Sequence, residues 1–302
     1  MSKISVSILI VNFQSFDKVE SLLNSLVVIK GDVNIEILIF NNDLLESESL
    51  KNFLSNFDLN FKLFEDNNIG FGRAVNFLSN ESSNSNLLIL NPDCLFKPSF
   101  NLKNFIDKYE TEFKNNSIGL WAPQIIDFNG NCEISFGEFP TLIEVLFRTF
   151  FIHKVLPKYY NNKYSIGKKF YKNILSKVPY PSGAFFLIKK NIFHGLGGFD
   201  ERFFAYFEET DLALRLANTG RINLISPEFE VIHYRGNRKQ LSVNNKLFIE
   251  SQYKYFKKHI GYIRTLLFIN IVSVILRLPY YGFKISFHLI RIHIRSFKLS
   301  NS

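Results

Sequence analysis

The chain has 302 residues, 46% hydrophobic and 21% charged, a globular balance that excludes disordered, collagen-like and low-complexity proteins. Two cysteines, Cys94 and Cys132, exclude a disulfide scaffold and a four-cysteine zinc site, and make a reducing compartment the default. The net charge of +9 is concentrated: residues 251–302 carry nine Lys and Arg and no acid, whereas the first 250 carry 27 of each sign, so a polyanion-binding tail follows a neutral body.

In chain order, Met1 to Val11 runs directly into an alternating apolar strand. It lacks the basic start, long apolar run and small-residue cleavage site of a signal peptide, so the cytoplasm is the expected compartment. Apolar runs near 4–12, 35–40, 61–65 and 86–91, each followed by a stretch that can be helical, predict βαβ units and a mostly parallel sheet. The first helix is the clearest, with Ser15 or Asp17 as cap, Val19, Leu22, Leu23 and Leu26 as one apolar face, and Gly31 after its end. From Trp121 the pattern turns irregular, and a Phe- and Tyr-rich basic stretch from Thr141 to Lys177 has no assignment. Strands return at 182–189, and a helix is predicted from about Phe207 to Asn218, closed by Gly220.

In an open parallel sheet ligands sit beyond the carboxyl ends of the strands, where this chain carries Asn12, Asn41-Asn42-Asp43, Asn67 to Gly72 and Asn91-Pro92-Asp93. Asp93, stopped at a sheet edge by proline, is placed to meet a divalent ion such as Mg²⁺ or Mn²⁺ together with substrate phosphates; a solvated Asn-Pro-Asp turn is the bland alternative. Asn68-Ile69-Gly70-Phe71-Gly72-Arg73 allows backbone amides to approach a phosphate and Arg73 to face a diphosphate; an ordinary turn is the alternative. It is neither a dinucleotide fingerprint, since Val75 stands where a third glycine belongs, nor a P-loop. Three acids in four residues, Glu208, Glu209 and Asp211, open the late helix beside an aromatic block, which suits a general base with a raised pKa or a helix-dipole interaction. His233 and Arg235 end another apolar strand, His233 as a candidate second metal ligand beside Asp93, with a satisfied structural histidine as the alternative. No serine-hydrolase elbow appears, and Cys94 reads as inert.

In the tail, Thr265 to Leu276 is too short and polar to span a membrane. Lys284, His288, Arg291, Arg295 and Lys298 recur at helical spacing, with Phe283, Phe287, Ile290, Ile294 and Phe297 one residue ahead. This predicts a basic amphipathic helix lying in the headgroup plane of an anionic bilayer; a strand over 283–289 and a helix packed on the chain's own body are the alternatives.

Taken together these clusters resemble the family 2 glycosyltransferases of the GT-A fold, in particular the rhamnosyltransferase-like members that build bacterial surface polysaccharides. The residues that carry the resemblance are Ser7 to Phe13, Asn68 to Gly72 with Asn76, Asn91-Pro92-Asp93, Ser182-Gly183-Ala184, Gly197 to Glu201, Phe207 to Leu212, and His233. The resemblance implies a GT-A body over 1–250, with a nucleotide-binding half (1–120) and an acceptor and catalytic half (121–250), followed by the membrane-associating tail, 251–302. It implies a nucleotide-sugar site from Asn12, Asn41, Asp43, Asn68, Gly70, Arg73, Asn76, Asp93 and Gly183, and a Mg²⁺ or Mn²⁺ ion on Asp93 with His233. It makes Glu209 the catalytic base, with Glu208 and Asp211 beside it. Glu209 stands where the family usually has Asp, and Asn91 replaces the first acid of its D-x-D. The implied reaction is inverting transfer of a sugar, rhamnose among the candidates, from a nucleoside diphosphate to a lipid-linked or polysaccharide acceptor at the inner face of the cell membrane. A catalytically silent nucleotide-sugar binder is the alternative. A nucleic-acid-binding protein is the weaker one, since no recognition motif is present, and no nucleic-acid partner is expected.

Overall fold

The computed structural model describes residues 4–57, 59–115, 117–149, 174–234, 241–261, 263–265 and 268. Arg235, most of the unassigned 141–177 stretch and the expected amphipathic helix of the tail lie outside these residues. The N-terminal half follows the predicted rhythm: β1 (Ser5–Asn12), α1 (Phe16–Ile29), β2 (Asn34–Asn41), α2 (Ser47–Ser55), β3 (Phe61–Glu65), α3 (Phe71–Glu81) and β4 (Asn86–Leu90). Then come β5 (Cys94–Phe96), α4 (Leu102–Asn115), β6 (Ile118–Ile126), β7 (Phe136–Gly137), α5 (Leu142–Thr149), β8 (Ser176–Val178), β9 (Tyr180–Pro181) and β10 (Phe185–Lys189). The remainder is α6 (Lys190–Gly195), α7 (Glu208–Asn218), β11 (Ile222–His233) and α8 (Leu241–His259). Among the described residues no helix is long and apolar enough to cross a membrane.

Among the described residues, nine strands form one sheet in the order β3-β2-β1-β4-β10-β6-β11-β5, with β8 also on β11. Strands β3, β2, β1 and β4 are parallel, as is β6 with β11, whereas β10 runs antiparallel to β4 and β6. The central strands are buried on both faces, which is why they read as near-continuous apolar runs. Along β1, Ile8 and Ile10 join a layer with Val19, Leu22, Leu23 and Leu26 of α1, while Leu9 and Val11 join Ala74, Val75 and Leu78 of α3 on the opposite face. Each buried Val, Leu or Ile among them contributes about 1.5–3 kcal/mol. The residues from Trp121 that looked irregular are the buried strand β6.

The sheet curls. Four strand spacings separate β4 from β5, about 19 Å if flat. Yet Leu90 and Cys94 are four residues apart and reach about 14 Å at full extension. The three-residue turn Asn91-Pro92-Asp93 therefore bridges a closed-over sheet and delivers β5 antiparallel to the end of β11, with Cys94 opposite His233.

Candidate active site

At the carboxyl ends of β1 and β2 the expected polar cluster is assembled, and much of it is consumed internally. Asn12 is fully buried; its amide donates to Asn41 Oδ1 at 3.0 Å and to Glu46 Oε2 at 2.7 Å, while its Oδ1 has no partner. Asn41 spends its amide on Ser47 Oγ and Glu65 Oε1. Asn42 Oδ1 accepts from the Ile69 N–H, which ties in the β3–α3 loop. Asp43 is half-buried and accepts from the Leu45 N–H. In that loop Asn68 Oδ1 accepts from the Gly70 N–H, and Gly70 sits at φ +88° with its Cα against the Phe204 carbonyl. A side chain at Gly70 would meet that oxygen at 2.6 Å, so glycine is required.

Arg73 and Asn76 both meet the 199–201 segment. Arg73 Nε lies 3.5 Å from Glu201 Oε2, both half exposed. Asn76 donates to the Phe199 carbonyl at 2.9 Å and to Glu201, and accepts from the Phe199 N–H at 2.8 Å. These bonds pin the 199–201 segment to α3 and occupy both amide donors of Asn76.

The acids that open α7 part company. The chain enters the helix through Tyr206 and Phe207, both at positive φ (68° and 70°), a left-handed conformation that costs non-glycine residues of order 1 kcal/mol or more each. Glu208 is buried with Oε2 unpartnered; burial, then the charge of Glu209, push its pKa well above the ordinary carboxylate range. Glu209 is half-buried at the rim of a cavity of about 240 Å³ lined by Glu138, Tyr180, Tyr206, Phe207 and Phe248, and desolvation raises its pKa too. Asp211 is fully buried and turned away into an ion cluster, 2.6 Å from Lys258 Nζ, 2.7 Å from His259 Nε2 and 2.8 Å from Arg215 Nε. Burial pushes its carboxyl up, but these partners outweigh burial and hold it below its usual value.

Glu209 is pressed against Gly183, where a Cβ would approach its Cγ to 3.1 Å. The next carbonyl, that of Ala184, accepts from the Asn91 N–H at 2.8 Å and from the Cys94 thiol at 3.2 Å. One segment, 183–184, therefore touches Glu209 and the turn that carries Asp93. Burial, then the Asp93 charge, push the Cys94 thiol up. Asp93 Oδ1 lies 3.2 Å from His233 Nε2, Oδ2 lies 3.9 Å from Lys18 Nζ of α1, and the Asp93 carbonyl accepts from the Tyr234 N–H. Lys18 was not anticipated; it comes in from the start of a helix 75 residues earlier.

The donor set fits a hard or borderline divalent ion. Asp93 Oδ1 and His233 Nδ1 are buried without a hydrogen-bond partner, although Oδ1 faces Nε2. Two ligands about 2.1 Å from one ion on adjacent octahedral vertices lie about 3 Å apart. Among the described residues no group of three or more His, Cys, Asp or Glu is arranged to hold a metal, so remaining ligands would come from water and substrate oxygens.

No family model matches the chain. The N-acetylglucosaminyl-diphospho-decaprenol L-rhamnosyltransferase of Mycobacterium tuberculosis is 27% identical over 184 residues, 56% of this chain and 57% of that protein. The low-salt glycan biosynthesis hexosyltransferase Agl10 of Haloferax volcanii is 26% identical over 226 residues, 72% and 63% of the respective chains. The chain thus spans less than two thirds of these relatives' length. Among solved structures, GalNAc-T7 with UDP, GalNAc and Mn²⁺ superposes with a TM-score of 0.54 at 16% identity, over 77% of this chain and 44% of the other. That likeness is one of fold, and the fold is GT-A.

Proposed function

We propose that the chain is a family 2, inverting glycosyltransferase that moves a sugar from a nucleoside diphosphate to a hydroxyl of a lipid-linked or polysaccharide acceptor, with rhamnose the first donor sugar to test. The relatives' names support the reaction class, and the observation that carries the reading is the 183–184 segment, shared by Glu209 and the Asp93 turn. Glu209 takes the proton of the acceptor hydroxyl as that oxygen attacks the anomeric carbon, and one displacement inverts the configuration. A base of raised pKa is matched to this transfer near neutral pH, since desolvation makes the carboxylate a better proton acceptor than one in water.

Asp93 and His233 would hold a Mg²⁺ or Mn²⁺ ion, which supplies positive charge against the departing diphosphate. Lys18, beside Asp93, adds a second positive group to the same end of the site. Asp43 and the Asn68–Gly70 loop border the nucleoside, and the rings of Tyr180, Tyr206, Phe207 and Phe248 give an acceptor sugar apolar faces, with Glu138 as hydroxyl partner. The nucleotide half is 1–120 and the acceptor half 121–250. The acid-free tail supports peripheral attachment to an anionic membrane surface on the cytoplasmic side.

A thermal-shift panel of nucleotide sugars, with and without Mn²⁺, identifies the donor, because a ligand at a hundred times its dissociation constant stabilises by about 2.7 kcal/mol. With that donor, Glu209→Gln is expected to stay folded, to keep binding nucleotide and to lose at least about a hundredfold in transfer rate. Wild-type turnover by Glu209→Gln removes the base from the mechanism.

A further inference from the structure

Apart from Phe248, which walls the acceptor cavity, the reaction just described uses no residue of α8, yet that helix makes a dense set of contacts with the residues that introduce Glu208 and Glu209. Lys258 Nζ bridges two carboxylates, 2.7 Å from Asp200 Oδ2 and 2.6 Å from Asp211 Oδ1, and His259 Nε2 reaches the same Asp211 oxygen. Asp200 and Asp211 bracket the turn, one before it and one in the first turn of α7. Arg202 pairs with Asp200, and Arg215 closes the far side by donating to Asp211 and to the carbonyls of Leu196 and Gly198. Between these ionic ends, Ser251 Oγ donates to the Ala205 carbonyl at 2.7 Å and Lys254 Nζ to that of Arg202 at 2.8 Å. Phe248 lies edge-on to Tyr206 and packs on Phe207 with ring centroids 5.8 and 5.1 Å apart, and Tyr255 packs on Phe207 in a tilted pair at 5.4 Å. Phe203, Phe207, Tyr255 and Phe256 form a hydrophobic cluster of their own.

We infer that α8 is the clamp that holds the left-handed Tyr206-Phe207 turn, and that Lys258 is a positioning residue for Glu209. Two adjacent non-glycine residues at positive φ persist only where the surroundings over-determine them. Here the surroundings are α8: a hydrogen bond to the carbonyl just before the turn, two rings against its side chains, and one ammonium tying its flanks together. Relaxation of Tyr206 and Phe207 to ordinary backbone angles redirects the first residues of α7, so Glu209 leaves its seat on Gly183 and the cavity loses Phe248 as a wall. A misplacement of about 1 Å in a reacting group costs on the order of a hundredfold in rate. The part of this inference that concerns catalysis rests on the transferase reading; the clamp itself does not.

The test uses the full chain carrying Lys258→Met, Lys258→Arg or Ser251→Ala. Hydrogen exchange followed by mass spectrometry is expected to show faster exchange in Lys258→Met over residues 203–216, with the β1–β4 peptides unchanged. Ser251→Ala, which removes one hydrogen bond and no charge, gives the same pattern more weakly and serves if Lys258→Met does not fold. Lys258→Arg restores protection. Unchanged exchange at 203–216 in the folded variants overturns the clamp. With the donor from the panel, kcat of the loosened variants is expected to fall about tenfold or more while nucleotide affinity stays within about twofold. Loosened exchange with wild-type kcat overturns the positioning role. If wild-type protein binds and turns over none of the nucleotide sugars, the transferase reading falls with it, and the exchange result alone decides the clamp.

Discussion

Glu208 and Glu209 are neighbours of the same type with different surroundings: one is sealed in with an unpartnered oxygen, the other reaches the rim of a cavity. A buried carboxyl with a raised pKa keeps its proton in the folded state after the unfolded chain has released it, so stability falls as pH climbs above the ordinary glutamate value. Glu208→Gln keeps the shape and removes that dependence. Calorimetric melting is expected to show the variant level with wild type near pH 4 and higher by roughly 2 °C or more near pH 8, the shift that about 1 kcal/mol produces in a domain of this size. Equal melting temperatures at pH 8 contradict the assigned burial of the charge. The same residue scale marks where reading the sequence succeeds. Asp93 and His233 were legible because a strand end fixes where a side chain emerges, and they do meet. Asn76 and Asp211 have the right types at the right spacing, but their partners are set by tertiary contacts: the backbone of Phe199 for one, Lys258 and His259 for the other. Only the Asp211–Arg215 pair, four residues apart on one helix, left a local signal of that structural role.

Elements were easier to read than their ends. The apolar periodicity of α1 predicts its buried face, and Val19, Leu22, Leu23 and Leu26 are buried as expected. Its cap is another matter. Ser15 occupies the N-cap position, but its hydroxyl bonds the Phe13 carbonyl, and the Ser15 and Phe16 N–H groups donate instead to Glu46, about 30 residues on. That carboxylate also holds Asn12, so a helix start and a strand end share one acid. Burial is likewise overridden at Glu36 in β2, where desolvation raises the carboxyl but Ser7, the Ser83 N–H and Lys62 outweigh it and bring it down to about 2. The element that stays a sequence-based reading is the basic tail helix, outside the described residues. Deleting residues 262–302 is expected to release the protein from liposomes of anionic lipid in a sedimentation assay while nucleotide binding is kept. Undiminished sedimentation of the truncated chain shows that the attachment lies elsewhere.

On the scale of the whole molecule, one geometric fact organises the site: the sheet curls until a three-residue turn links its centre to its edge. Parallel βαβ order was readable from the apolar runs; the curl was not, because it depends on β5 pairing with β11, 135 residues away along the chain. It brings Asp93 to His233, and the strand threaded between β4 and β6 begins just after Gly183, against which Glu209 rests. The proposed reaction requires an activated sugar to fit between those two ends. Crystals grown with Mn²⁺ and whichever of UDP, dTDP or GDP the panel selects, measured at the manganese edge, test this directly. The predicted result is an anomalous peak about 2.1 Å from Asp93 Oδ1 or His233 Nε2, touching diphosphate oxygens, with open space leading from the diphosphate to Glu209. Manganese and nucleotide bound away from Asp93, or a wall of protein between the diphosphate and Glu209, would contradict it.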